Sequence, residues 1–228
     1  MSKSLSLASL QKIVVKHIYA DHNKSRSVQR VICHFVQQNA QGVMVNIGAG
    51  DTKIHPNMIN LDLKAGPNVD IIASADNIPL FDNSVDLVVC QEMLEHVPEP
   101  LDVLLEIHRV LRKNGILYLQ VPWTIAYHGC PQDFWRFSRD GISQIVLSAG
   151  FVVQELGVTV GPFTGFYRVA VEAFAILGSL LSERLYKPFK LSAALFLLPI
   201  KVFDLFSLNS KEAHRLAGGF FVVAMKES

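Results

Sequence analysis

The stretch that most constrains this chain is VMVNIGAGD, from Val43 to Asp51, an almost continuous apolar run that stops abruptly at a glycine turn. Val43, Met44, Val45 and Ile47 suit a strand covered on both faces of an α/β sheet. Gly48 and Gly50 let the backbone turn sharply and approach a ligand with no Cβ in between. A glycine turn at the carboxyl end of a first parallel strand is where open α/β sheets take nucleotide-like ligands. The same pattern also serves as an ordinary strand end, so the next segment matters. MINLDL, Met58 to Leu63, reads as a second strand ending in Asp62, whose carboxylate can accept from two ribose hydroxyls. DTKIHPN, with Pro56, leaves no room for a full crossover helix and predicts a loop or single turn. The glycine-to-acid spacing is therefore shorter than the roughly 20 residues of a dinucleotide site, which disfavours an NAD-binding oxidoreductase.

From Gly42 to Phe151 the order and spacing of motifs resembles the class I S-adenosylmethionine-dependent methyltransferases. The glycine turn is similar to their first motif, Asp62 to the acid that holds the ribose, and SADNIPLFDNSVDLVVC, Ser74 to Cys90, to the adenine region. CQEMLEHVPEPLDVLLEIHRVLRKNG, with its LEHV and RVL, is similar to the fourth strand and following helix. The resemblance implies S-adenosylmethionine as cofactor, held by Asn46, Gly48, Gly50, Asp62, Asp76, Asn77 and Ile78. Asp76 would accept from the adenine amino group, with Asn77 or Ile78 along the ring; otherwise Asp76 is a solvated loop aspartate. Two positions depart from the family: Asn46 stands where an acid is usual, and Thr52 replaces a third glycine. Both fall beside the expected methionine moiety and bear on affinity more than on fold.

The implied fold is a doubly wound, Rossmann-like α/β domain with a seven-stranded sheet whose last strand is antiparallel. Further strands are predicted over Asn68–Ala73, Ser84–Cys90, Ile116–Val121 and FVVQELGVTV, and a last one from Ala217 lies beside strand five. Helices are predicted in two patterns between Leu5 and Ala40, from Pro100 to Asn114-Gly115, and from the capping Ser138 to Phe151. The organisation is 1–41 for N-terminal helices, 42–160 and 217–228 for the methyltransferase domain, and 161–216 for a hydrophobic helical insertion.

Two constellations can carry chemistry. QEMLEH sets Glu92, Glu95 and His96 at i, i+3 and i+4, on one side of a helical turn. This resembles the Glu-x-x-Glu-His metal cluster of some methyltransferases, including ubiquinone-pathway O-methyltransferases, with His128 completing it. Such a set would suit Mg²⁺ or Zn²⁺. In metal-free relatives the same glutamate and histidine simply order the loop. The second constellation, PWTIAYHGCPQDFWRFS, resembles a block found after the fifth strand in a subgroup of the family. His128 beside Asp133 can act as general base toward a hydroxyl. Arg136 either clamps an anionic group of the acceptor or pairs with Asp133 at i, i+3.

With 21 basic against 20 acidic residues the chain gives a nucleic-acid substrate no electrostatic support. Cys33, Cys90 and Cys130 lack metal-site spacing and read as reduced packing thiols in a cytoplasmic protein. No secretory signal is expected. VAVEAFAILGSLL, from Val169, and LSAALFLLPIKVFDLFSL, from Leu191, are far more apolar than a connection needs, yet Glu172, Glu183, Lys201 and Asp204 keep both below a spanning length. Residues 165–208 are expected to lie peripherally on a membrane surface, with Arg168, Arg184, Lys187, Lys190 and Lys201 facing head groups, or to pack as a hairpin on the sheet or across a homodimer. The activity these features imply is methyl transfer to a small-molecule or lipid-linked acceptor, more at oxygen than elsewhere. The competing reading is a non-catalytic S-adenosylmethionine-binding protein, which Asn46 allows.

Overall fold

Strand alternation divides the core between the two faces of one sheet. In β4 (Val85–Gln91), Val88 and Cys90 point into one apolar cluster while Leu87 and Val89 point into the other. β7 (Gly219–Lys226) behaves alike, with Phe220, Val222 and Ala224 on the first side and Phe221 and Val223 on the second. Runs that are apolar at both parities can only be central strands, because both faces must be covered. The computed structural model describes residues 26–129 and 131–227, with no side-chain detail for 26 and 27. The first helical pattern, from Leu5, and Cys130 lie outside the described residues.

The helix α1 (Arg26–Gln38) sets Val28, Ile32 and Val36 against Met44, Met58, Leu87 and Tyr118 on the second face. Strands β1 (Met44–Ile47), β2 (Met58–Asp62) and β3 (Ile71–Ile72) are parallel to one another and to β4. No helix links β1 to β2, as the short DTKIHPN segment predicts. The helix α2 (Pro100–Val110) leads into β5 (Leu111–Pro122), and α3 (Arg139–Ser148) into β6 (Phe151–Val160). Ser138 caps α3 by accepting from the Gly141 N–H at 3.1 Å. The sheet order is β3-β2-β1-β4-β5-β7-β6, with β7 antiparallel between β5 and β6. This is the expected doubly wound, seven-stranded α/β fold.

One boundary is corrected. The helix predicted to reach Asn114-Gly115 stops at Val110, and Leu111 already pairs with Val85. Asn114 does adopt the left-handed conformation (φ 60°), but it turns the chain within β5 instead of ending a helix. The helix is closed by Lys226 of β7, whose ammonium donates to the carbonyls of His108 and Leu111, each at 2.8 Å. A cation at a helix C-terminus is favoured by the helix dipole.

Between β6 and β7 run α4 (Pro162–Leu181), α5 (Tyr186–Leu197), a 3₁₀ segment (Leu198–Phe203) and α6 (Asp204–Ser207). Asp204 caps α4, accepting from the N–H groups of Phe163 (2.9 Å) and Thr164 (2.8 Å). Gly165 lies so close to Leu216 and Gly218 that a Cβ would collide with their backbone, and Gly178 is pressed likewise on Phe189 of α5. Contrary to the expectation from Glu172, the 20 residues of α4 are long and apolar enough, by length and composition, to cross a bilayer. Glu172, however, is bound to Lys190 (2.7 Å) and Tyr186 of α5, which offsets its charge inside the hairpin. Cys90 is buried as a packing thiol should be, whereas Cys33 is exposed on α1.

Candidate active site

At the carboxyl ends of β1, β2 and β4 lies a cleft of about 450 Å³, lined by Gly48, Gly50, Asp62 and Ala73–Ala75, among others, and closed at one end by Glu92, Met93 and His96. Gly48 and Gly50 both adopt left-handed backbone (φ 67° and 50°), which a side-chain-bearing residue reaches only at a cost. A Cβ on Gly48 would lie 2.4 Å from Cγ of Met93, so glycine is required there twice over. On Gly50 a Cβ would meet nothing within 4 Å, so only its backbone conformation calls for glycine. Asp62 orders the turn: Oδ2 accepts from the Gly50 N–H (2.8 Å) and Oδ1 from the Lys64 N–H (2.9 Å).

The other predicted cofactor residues fall outside this lining. Asn46 is buried beneath the glycine turn, and its amide donates to Asn60 Oδ1 (3.1 Å) and toward the Thr52 carbonyl (3.4 Å). Asp76 and Asn77 are exposed beyond the cleft. Ile78 is a core residue; its N–H donates to Glu106 (3.0 Å) and its carbonyl accepts from Arg109 (2.8 Å). Ala73, Ser74 and Ala75 line the cleft instead. Their signal in the sequence is the run of small residues directly after the third strand.

Glu92, Glu95 and His96 do not share one helical face. Glu92 is left-handed (φ 51°) and only Leu94–His96 form a 3₁₀ turn. Glu92 therefore faces the cleft, where Gln120 holds it twice, through Gln120 Nε2 to Oε1 and through the Glu92 N–H to the Gln120 carbonyl, both 3.0 Å. Gln91 donates in turn to Gln120 Oε1 (3.1 Å). Burial, with the charge of Glu95 second, raises the Glu92 carboxyl to about 7, against the opposing hydrogen bond from Gln120.

Behind the cleft the structure brings together Glu95, His96 and His128, whose ligand-type atoms lie within 4.8 Å of one another. Glu95 is fully buried and, among the described residues, neither oxygen has a hydrogen-bond partner; His128 Nε2 stands 3.5 Å and His96 Nε2 3.6 Å from Oε1. The Gln132 carbonyl, 2.5 Å from His96 Nδ1, can only accept, so the proton sits on Nδ1 and leaves Nε2 directed at Glu95. His128 is flanked on its other side by Asp133, 3.5 Å from Nδ1, and its protonated form is favoured first by Glu95 and then by Asp133. Arg136 binds Asp133 through both oxygens at 2.5 Å, holding that carboxyl down at about 2. This is the pairing read from the i, i+3 spacing, and it commits the guanidinium to Asp133. The Trp135 indole N–H donates to the carbonyls of Val97 (3.0 Å) and Pro98 (3.2 Å), strapping the DFWRF segment onto the LEHV turn.

This sheet order, with the last strand antiparallel, and the cleft at the carboxyl ends of its strands are those of the doubly wound, Rossmann-like fold expected from the sequence. Residues 50–119 match the family model described as methyltransferase domain. A ubiquinone biosynthesis O-methyltransferase of Saccharophagus degradans is 24% identical over 159 residues, covering 61% of this chain and 66% of that protein, just under two thirds of its length. Among solved structures, the cyclase SpnF superposes with a TM-score of 0.54 at 14% identity, covering 96% of this chain and 93% of its own. A phosphoethanolamine N-methyltransferase of Haemonchus contortus in complex with S-adenosyl-L-methionine gives 0.52 at 14% identity, over 95% of this chain and 56% of that one. The lining is compatible with such a cofactor: two glycines leave the floor open, Asp62 offers a carboxylate that could accept from ribose hydroxyls, and Ala73 and Ala75 offer small apolar side chains on which a base could lie.

Proposed function

We propose that this protein transfers a methyl group from S-adenosylmethionine to an oxygen of a small-molecule acceptor, one carrying a lipid chain. The observation that carries the reading is that the donor cleft ends at His96, which packs edge-on against His128 with ring centroids 5.0 Å apart. A proton-accepting imidazole thus stands next to where the methyl group would project. A hydroxyl nucleophile must lose its proton, and His128, steadied by Asp133 and Arg136, is the residue to take it. Most of the remaining acceleration in such a displacement comes from positioning. The bound cofactor supplies the electrophilic methyl group. The apolar insertion supports a lipid-linked acceptor, as does the likeness to ubiquinone-pathway enzymes.

The orphaned carboxylate of Glu95 favours a second reading of the same residues. Glu95, His96 Nε2 and His128 Nε2 could hold a divalent ion, with Gln132 and Asp133 orienting the imidazoles from behind. The ion would lower the acceptor's pKa. Because one fold can host different chemistries, turnover needs a direct test. Purified protein is titrated calorimetrically with S-adenosylmethionine, its demethylated product and NAD, then assayed for product formation with long-chain phenols, with and without chelator. Cofactor binding without turnover on any acceptor would leave the non-catalytic reading; activity indifferent to chelator and to Mg²⁺ would remove the metal.

A further inference from the structure

Away from the donor cleft, where β6 and β7 meet the start of α3 and the turn that follows α6, lies a hollow of about 430 Å³. Its floor is apolar, built from Leu156 and Val158 of β6 and Phe220 of β7, while Arg139, Lys211 and His214 bring three basic groups to it. No carboxylate belongs to the lining among the described residues: Asp140, next along α3, stays outside it, and Glu212 is bound to Arg215. Among the described residues neither the Arg139 guanidinium nor the Lys211 ammonium has a hydrogen bond or an ion pair. His214 Nδ1 stands 2.8 Å from the Lys211 carbonyl, which can only accept, so Nε2 is the nitrogen left for a ligand. Two unpaired cations converging on an apolar floor are the complement of an anion attached to an apolar body.

We propose that this hollow binds the phosphate of an anionic phospholipid, whose acyl chains leave over Leu208 and Leu205. A guanidinium offers a phosphate two parallel donors, and an ammonium adds a point charge beside it. Leu208 lines the hollow and follows Leu205 of α6 by three residues, which sets both on one side of that turn. Leu205 and its neighbour Phe206 are exposed, so the outlet continues into the bare apolar surface of the insertion. Charge and apolar contact thus follow one another as they do in a lipid, and a free anion would leave the floor and the outlet uncovered. The cations of the insertion itself are worse placed: Lys190 is bound to Glu172, Lys201 lies over the Tyr167 ring, and Arg184 and Lys187 share their hollow with Glu183.

Calorimetry on the full chain tests the site with dihexanoylphosphatidylglycerol, kept below its micelle concentration, dihexanoylphosphatidylcholine and inorganic phosphate. The proteins compared are wild type, Arg139→Gln/Lys211→Gln and, at the hairpin tip, Arg184→Gln/Lys187→Gln, with circular dichroism to confirm that each is folded. Wild type is expected to bind the phosphatidylglycerol at least about tenfold more tightly than either other ligand. The 139/211 variant should lose about tenfold or more of that affinity, as for loss of charge-assisted hydrogen bonds, and the 184/187 variant should keep it. Equal affinity of wild type and the 139/211 variant overturns the proposal, as does a wild type that binds no phosphatidylglycerol. Equal losses in the two variants would make the attraction a diffuse effect of net charge, and phosphatidylcholine bound as tightly would reduce it to apolar contact. Inorganic phosphate bound as tightly as the lipid would leave a simple anion site; each of these three results also refutes a lipid site at Arg139 and Lys211.

Discussion

Asp62 does two jobs that a single substitution will expose together. Its carboxylate holds the Gly50 and Lys64 N–H groups and presents itself to the cleft. Asp62→Ala should weaken S-adenosylhomocysteine binding by about 1–3 kcal/mol, the usual cost of stranding hydrogen-bond partners. Asp76→Ala, at an exposed site beyond the cleft, should change it far less; equal losses in calorimetry would return Asp76 to the cofactor site. His128→Ala is expected to lower kcat by about 10²–10⁴ while cofactor affinity is kept. Affinity falling in step with kcat would make His128 a structural residue. Gly48, Gly50 and Asp62 were legible because a glycine turn after an apolar strand and an acid ending the next strand are local patterns. Asn46 and Ile78 were not, since their orientation depends on Asn60 and on the Glu106–Arg109 pair, both distant in sequence.

Among the elements, α2 and α4 owe their ends to residues far along the chain. Nothing near Val110 announces that Lys226 closes α2, and the first local stop signal in the sequence is the Asn114-Gly115 pair beyond it. Strands apolar at both parities, and the Ser138 cap, could be read directly, because each depends only on neighbours. For α4, Asp204→Ala removes two N-terminal hydrogen bonds and should destabilise the insertion by about 1–2 kcal/mol. Faster amide exchange over 163–166 would show it, and unchanged exchange would refute the cap. Along α2, Arg109 holds the Glu106 carboxyl below its ordinary value of 4.5. A group whose folded pKa is depressed stabilises the fold above its unfolded pKa and loses that contribution as pH falls through the folded value. Urea midpoints measured from pH 6 downward should therefore fall below pH 4.5 more steeply in wild type than in Glu106→Gln. Parallel curves would mean the pair contributes nothing.

At the scale of the whole molecule, the insertion leaves an apolar surface that ordinary domains avoid. Leu180, Leu181, Phe196, Leu205 and Phe206 are each 75–82% exposed, and an apolar hollow runs between α4 and α5 past Phe174, Phe189 and Phe196. Contiguous apolar surface of this kind marks an interaction site. If the insertion lies on a membrane surface, the first of the two roles expected from the sequence, the protein floats with anionic liposomes, and the triple variant Leu180→Lys, Phe196→Lys, Phe206→Lys stays at the bottom of the gradient with its fold intact. Flotation equal in both would assign these side chains to packing. Failure of the wild type to float would leave the homodimer, to be sought by sedimentation. The sequence showed that 165–208 is too apolar for a connection, but not which face stays bare, since that follows from the close contacts of Gly165 and Gly178.

The place of β7 between β5 and β6 also governs how the chain can fold. Among the described residues β6 pairs with no strand but β7, so its edge stays open until the entire insertion has been brought round and the last strand slots in. Closing so long a loop before any pairing rewards it is an entropic barrier, and the apolar insertion is exposed meanwhile. Refolding should therefore be slow and prone to aggregate. A chain with 165–208 replaced by a short linker should refold several-fold faster, by roughly the ratio of loop lengths to the 3/2 power.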